Sequence, residues 1–240
     1  MQRFFVEHLP DATAEFELPD AVAHHAARVL RLTNGAEIIL FDGNGREAVA
    51  RIVRIDRRTV AVHCEAARAL SRESPLRIVL LQGISAADRM DYTLQKSVEL
   101  GVSEVWPLAC ARSVVRLDPA RERKRLEHWR KLAVSACEQC GRNQVPAVTE
   151  VAGMAEALAR ADGAGKWLLD PEGTSSLRDQ RPPSGPLFLL AGPEGGFTGA
   201  EEAQAVEAGF VRLRFGPRVM RTETAAVAVM AAMQALWGDC

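Results

Sequence analysis

The stretch Leu187-Phe188-Leu189-Leu190-Ala191-Gly192-Pro193-Glu194-Gly195-Gly196-Phe197-Thr198-Gly199-Ala200-Glu201 decides how this chain folds. Five continuous apolar residues read as a strand buried on both faces, as in a parallel sheet. Proline and three glycines then stop the strand and force a turn. Thr198 and Glu201 have capping-box spacing: the hydroxyl satisfies one orphan N–H and the glutamate reaches back to another. Strand, glycine turn and capped helix follow in order. Ligands of open α/β sheets bind at the carboxyl ends of strands, where such turns lie, and glycine lets a ligand approach the backbone closely. A tight turn without a ligand is the competing reading. The loop lacks both the Gly-x-Gly-x-x-Gly dinucleotide fingerprint and the P-loop lysine.

A second turn of this kind follows the strand Val211 to Phe215: Gly216-Pro217-Arg218-Val219-Met220-Arg221-Thr222-Glu223-Thr224-Ala225. Thr222 is placed to cap the helix Glu223 to Trp237, and Glu223 suits its positive end. That helix is apolar nearly all round, so it is expected to be buried in the domain or against a second subunit. Arg221, between two ligand-facing turns, is suited to an anion or a carbonyl. Working outward, strands are expected at Leu76–Leu81, Val105–Leu108 and Lys166–Asp170. Helices are expected at Asp88–Leu100, Pro119–Cys140, Met154–Ala161 and Gly199–Ala208, with Gly101 and Gly141 as stops. Such alternation predicts a parallel α/β sheet.

The first seventy residues have a different rhythm. Glu37–Phe41, Ala48–Ile55 and Thr59–Cys64 read as short strands. Asp42-Gly43-Asn44-Gly45 supplies the positive φ of a hairpin, and one helix is expected at Ala21–Leu32. A small antiparallel barrel or sheet is the expectation. The polar break Ser71–Pro75 sets the domain boundary, giving residues 1–73 and 74–240.

The 240 residues carry 30 basic and 31 acidic side chains, so no whole-chain basic signature exists. Residues 112–142 nevertheless hold nine basic and four acidic groups, a local excess of five that suits phosphate or a solvated helix face. The longest apolar run near the C-terminus, Ala225–Met233, is too short to span a bilayer. Five cysteines and an N-terminus unlike a signal peptide point to reduced thiols and a cytoplasmic address. Cys137-x-x-Cys140 lies on an expected helix with no second pair, which argues against zinc or redox chemistry.

The paired motifs Gly192–Phe197 and Gly216–Ala225 resemble the bacterial 16S ribosomal RNA uracil-N3-methyltransferases that modify uridine 1498, of the SPOUT class. Lys96–Val102, Arg112–Arg116, Glu138–Asn143 and His25–Arg31 are similar to further family blocks, so the likeness covers nearly the whole chain. Phe215 stands where the family commonly has leucine, and Val219-Met220 where it often has Ile-Leu or Val-Leu.

The resemblance implies an N-terminal PUA-like β-barrel and a knotted SPOUT methyltransferase domain. It also implies S-adenosyl-L-methionine as cofactor, 16S ribosomal RNA within the small subunit as substrate, and a homodimer. It carries the cofactor role to Leu169, Gly192, Glu194, Gly195, Gly196, Phe215, Gly216, Val219, Met220 and Thr222. RNA contacts fall to Arg28, Arg31, Arg112, Arg116 and Arg142. Methylating N3 requires loss of the imide proton or stabilisation of the uracil anion. Arg221 suits the anion role, against phosphate binding or a carboxylate partner. Glu194 and Glu223 are the candidate bases, against bracing a turn and capping a helix. Two other classes stay open: a non-catalytic RNA-binding module, and an α/β enzyme using a different nucleotide. The intact glycine loops argue against the first, and the missing nucleotide fingerprints argue against the second.

Overall fold

The structure, a computed structural model, describes residues 1–113, 118–182 and 184–240. The chain folds as two units, Met1–Glu73 with Val134–Val145, and Ser74–Ala133 with Pro146–Cys240. Residues 134–145, which the boundary at Ser71–Pro75 leaves with the C-terminal part, thus group with the first unit.

The first unit is built from β1 (Gln2–Phe5), β2 (Ala14–Glu17), α1 (Asp20–His24), β3 (Glu37–Phe41), β4 (Arg46–Ile55), β5 (Val60–Cys64) and β6 (Arg68–Ala69). The sheet runs β1-β3-β4-β5-β2, with β6 on β4. Side-chain alternation puts Ile38, Leu40, Ala50, Ile52 and Val62 in the core beside Phe4. Between β3 and β4, Gly43 and Gly45 take φ of 74° and 94°. The Asp42 carboxylate accepts the Asn44 amide at 2.8 Å.

Two expectations are corrected here. β1 pairs with β3 in parallel, because the long connection through β2 and α1 returns the chain in the same direction. The expected Ala21–Leu32 helix is α-helical only to His24; His25–Val29 is a π-helical turn. Arg31 then ends it in the left-handed region, at φ 53°.

Charge is buried in this unit only where it is paired. Glu47 is 2% exposed and receives Arg3 and Arg72 at 2.9 Å and Arg68 at 3.3 Å. Burial alone would raise the Glu47 carboxyl; hydrogen bonds and charge from Arg72 and Arg3 outweigh it and hold the group at about 2. Arg142, expected to meet RNA, is instead 5% exposed and bonded to Glu73 through Nε and Nη2. A guanidinium this buried and neutralised is withdrawn from phosphate. Cys137 is also buried; its thiol donates to the Gln144 carbonyl at 3.5 Å, and burial pushes it up to about 12. It is therefore a poor metal ligand or nucleophile.

The second unit adds β7 (Ile78–Gly83), α2 (Ala87–Glu99), β8 (Glu104–Ala109), α3 (Pro119–Cys140, its last turns counted with the first unit) and β9 (Ala147–Val148). It continues with β10 (Ala152–Gly153), α4 (Met154–Arg160), β11 (Gly165–Leu169), β12 (Ser175–Ser176), β13 (Leu187–Ala191), α5 (Gly199–Glu207), β14 (Val211–Arg214) and α6 (Thr222–Trp237). The sheet order is β10-β8-β7-β13-β11-β14-β12, with β9 on β8. Every pair is parallel, as the alternation predicts. β7 and β13 are buried at every residue. α6 packs on α2 and β13 and buries Ala226, Val229, Met230 and Met233, which settles one face of that apolar helix within the domain. No described helix is long and apolar enough to cross a membrane.

The depressed Glu47 carboxyl makes stability depend on pH. Its ordinary value is 4.5, so the stabilisation is fully present above that and is lost as pH falls toward about 2. Glu47→Gln is expected to cost roughly 3 kcal/mol at neutral pH. In urea titrations the gap from wild type should close between those two pH values; a gap independent of pH would refute the ion-pair account.

Candidate active site

The carboxyl ends of β13, β11 and β14 lie side by side, and the turns that leave them enclose a cavity of about 760 Å³. That volume is in the range of a small-molecule site. The sequence suggests two consecutive turns, but β11 stands between β13 and β14, so a third segment, Leu169-Asp170-Pro171-Glu172, floors the space between them. Asp170 is buried, bonded to Arg212, and accepts the Glu172 amide at 2.8 Å, which shapes that segment.

The turn after β13 is bound from several sides. Thr198 and Glu201 form the expected capping box. Glu201 also accepts the Ala111 amide at 2.8 Å. Burial would raise its carboxyl; bonds from the Thr198 and Ala111 amides outweigh this and lower it. Arg112 donates to the Phe197 carbonyl at 3.0 Å and the Gly195 carbonyl at 3.4 Å. A Cβ on Gly195 would stand 3.0 Å from the Arg112 carbonyl oxygen, so the close approach requires glycine. Gly196, at φ 67°, turns the chain with open space beside it.

Thr222 corrects the capping expectation. Its side chain makes no cap bond, and Arg221 occupies the N-cap position of α6. The Thr222 hydroxyl donates to the Gly192 carbonyl at 2.6 Å and accepts from Gln82 Nε2 at 3.3 Å. The two turns are thereby joined.

Leu169, Gly192, Glu194, Gly196, Phe215, Gly216, Val219, Met220 and Thr222 all line the cavity, as does Arg221. Gly195 does not; it packs on Arg112. The Arg221 guanidinium is exposed and has no partner among the described residues. Glu194 lines the cavity, but its Oε1 accepts the Ala86 amide at 2.7 Å, the bracing role. Glu223 sits in the first turn of α6, outside the lining.

The RNA candidates are scattered. Arg112 is held by loop carbonyls, while Arg28 and Arg31 are exposed on the first unit, Arg28 donating to the Arg57 carbonyl at 3.0 Å. Arg116 lies outside the described residues.

Sequence reasoning missed Gln82, Gly83 and Arg89. Gln82-Gly83 directly follow the apolar run of β7, and a polar residue and glycine ending a buried strand are a readable signal. A Cβ on Gly83 would be 2.6 Å from the Pro193 nitrogen, so the strand end fits under the first turn only as glycine. Nothing local marks Arg89, which lines the cavity from α2.

A parallel sheet with a glycine-walled cavity at its carboxyl ends, and a separate small β unit, defines a ligand-binding α/β protein with an accessory domain. Residues 72–234 match the RNA methyltransferase domain model, and residues 18–63 match the RNA methyltransferase PUA domain. The chain belongs to this RNA methyltransferase family. It is 31% identical to ribosomal RNA small subunit methyltransferase E of Bacillus subtilis, across 97% of this chain and 96% of that one. It is similar to the crystal structure of ribosomal RNA small subunit methyltransferase E from Neisseria gonorrhoeae bound to S-adenosyl methionine. That match has a TM-score of 0.93 at 42% identity and covers 100% and 99% of the two chains. A Legionella pneumophila methyltransferase in complex with the same cofactor gives 0.94 at 36%, covering 99% and 98%.

Thr222→Val removes the donor that joins the turns. It is expected to cost about 1 kcal/mol in chemical denaturation and to speed amide exchange in the Gly192–Phe197 turn. Unchanged exchange there would mean that the turns hold without it.

Proposed function

We propose that the protein is an S-adenosyl-L-methionine-dependent methyltransferase that methylates N3 of a uridine, uridine 1498, in 16S ribosomal RNA of the small subunit. The observation that carries this reading is the cavity walled by both glycine turns, with the unpartnered guanidinium of Arg221 at its edge. The residues fit the cofactor: Gly196 and Gly216 take positive φ and leave backbone open, and Leu169, Phe215, Val219 and Met220 supply apolar surface for an adenosyl group. When bound, the cofactor supplies an electrophilic methyl group.

This chain's own residues do the rest. Uracil N3 carries its proton at neutral pH, so its lone pair becomes available only as negative charge is stabilised on the ring. A guanidinium presents planar paired donors to the carbonyl oxygens flanking that nitrogen. Arg221 fills that role, and its exposure leaves the fork free. Glu194 and Glu223 remain the candidate bases, with Oε1 of Glu194 taken up by the Ala86 amide. The knotted topology, the homodimer, the cytoplasmic address and the assembled subunit as substrate belong to the same reading. The division at residues 73 and 74 belongs to it as well, with the N-terminal part serving RNA.

Two experiments test it. Titration calorimetry with S-adenosyl-L-methionine should show binding, and single-turnover methylation of small-subunit RNA should follow. Arg221→Lys keeps the charge but loses the fork, and is expected to lower that rate about 10²-fold while cofactor affinity changes little. A collapse of affinity with the saturated rate intact would make Arg221 a loop tie instead.

RNA contact is assigned to Arg28 and Arg31. Arg31 is held at positive φ beside a π-helical turn, a costly backbone that recurs at functional surfaces. Replacing both by alanine should weaken RNA binding and flatten its salt dependence by about two phosphate contacts. An unchanged salt slope would remove these arginines from the interface.

A further inference from the structure

Helix α2 starts without a side-chain cap: Ala86 occupies the N-cap position. Its exposed backbone donors need acceptors, and Glu194 supplies one, with Oε1 2.7 Å from the Ala86 nitrogen. Arg89, in the first turn of α2, brings Nη1 to 3.3 Å from that same oxygen. Its Nε lies 3.9 Å from Oε2 of Glu223. Glu194 belongs to the turn after β13, and Glu223 follows the turn after β14. One guanidinium therefore stands between two carboxylates, one in the turn after β13 and one in the first turn of α6.

Both carboxylates are largely withdrawn from water, at 15% and 19% exposure. Oε2 of Glu194 and Oε2 of Glu223 are buried and have no hydrogen-bond partner among the described residues. Solvent therefore screens their charge poorly, and two like charges so placed repel each other. Without a cation between them the repulsion pushes the two turns apart. The Thr222–Gly192 bond closes the turns at the backbone, whereas Arg89 closes them at the side chains, from a third element. Arg89 is itself 35% exposed and reaches the cavity wall.

We propose that Arg89 is a positioning residue: by pairing with Glu194 and Glu223 at once, it holds the two glycine turns at the separation that binds S-adenosyl-L-methionine. This rests on the proposed function of the site. Arg89 acts through the carboxylates, so its loss is read in cofactor affinity and not in the chemical step. Lysine can supply the charge at this place, though as a point donor without a planar fork.

The test is a double-mutant cycle on the full chain. Cofactor affinity is measured by calorimetry, and the single-turnover rate is measured at saturating cofactor. Arg89→Gln is expected to weaken S-adenosyl-L-methionine binding about tenfold, with the saturated rate within about twofold of wild type. Arg89→Lys should recover most of the affinity. Arg89→Gln combined with Glu223→Gln should lose clearly less than the product of the single losses, because removing one carboxylate relieves the repulsion that Arg89 offsets.

Wild-type affinity in Arg89→Gln overturns the proposal. So do losses that multiply in the double mutant, which would leave Arg89 as an ordinary residue of α2. If Arg89→Gln does not fold, Arg89→Met, which keeps an apolar stem and drops the charge, takes its place in the cycle. Coupling to position 223 of at least about threefold is then expected, and multiplicative losses overturn the proposal. Failure of the wild-type protein to bind S-adenosyl-L-methionine is a separate result, and sinks the proposed function instead.

Discussion

A hydrogen bond of 2.6 Å from the Thr222 hydroxyl to the Gly192 carbonyl makes two turns into one wall. The strands that deliver those turns, β13 and β14, are not neighbours, because β11 separates them. A tie between their ends has to cross the width of a strand. It can do so only because glycine and proline carry each chain sideways as it leaves the sheet. Gln82 donates to Thr222, which donates to Gly192, so the bonds run in one direction and polarise each other. All three belong to the rim of a parallel sheet whose strands β7 and β13 are buried at every residue, and that buried interior gives the tie a rigid base.

The same rim shows how a site is assembled from residues that lack any chemistry of their own. Gly83 and Gly195 bear no side chain, and each permits a backbone approach that a methyl group would block. Glu201 receives amides from two segments, and Arg112 donates to two carbonyls of one loop. These groups are occupied with one another. Arg221 is different in kind, since its charge meets no partner among the described residues while its backbone starts a helix. A polar group left over after the local bonds are satisfied is available to a ligand, and this leftover distinguishes a binding residue from a brace.

Much of this was legible in the sequence. The bounds of β3, β13 and α3 follow directly from apolar runs and from glycine and proline stops, and the Thr198–Glu201 box follows from spacing alone. Local signals of this kind depend only on near neighbours. Pairing partners do not. Nothing in Gln2–Phe5 states that it joins β3 in parallel, and nothing in Arg142 states that Glu73 will bury it. Arginine in a basic segment looks the same whether it ends in water or in a paired interior. Thr222 was misread for a related reason: a hydroxyl at a helix start has a local acceptor role, but here a distant carbonyl competes for it and wins. Arg89 was invisible because its meaning lies in two glutamates far along the chain.

The assignment of residues 134–145 to the first unit has a consequence for synthesis. Chains emerge from their N-terminus at a finite pace, and contiguous domains fold as they appear. Here the leading seventy-three residues come out without Glu138, whose carboxylate accepts the Phe5 amide at 3.0 Å, and without Asn143, whose side chain donates to the Leu70 carbonyl at 2.9 Å. The nascent N-terminal unit stays incomplete until α3 has been made. For the same reason a gene cut at the polar break would deliver a fragment missing a piece of its own fold. The chain thus couples the maturation of its accessory domain to the arrival of the domain that carries the glycine turns.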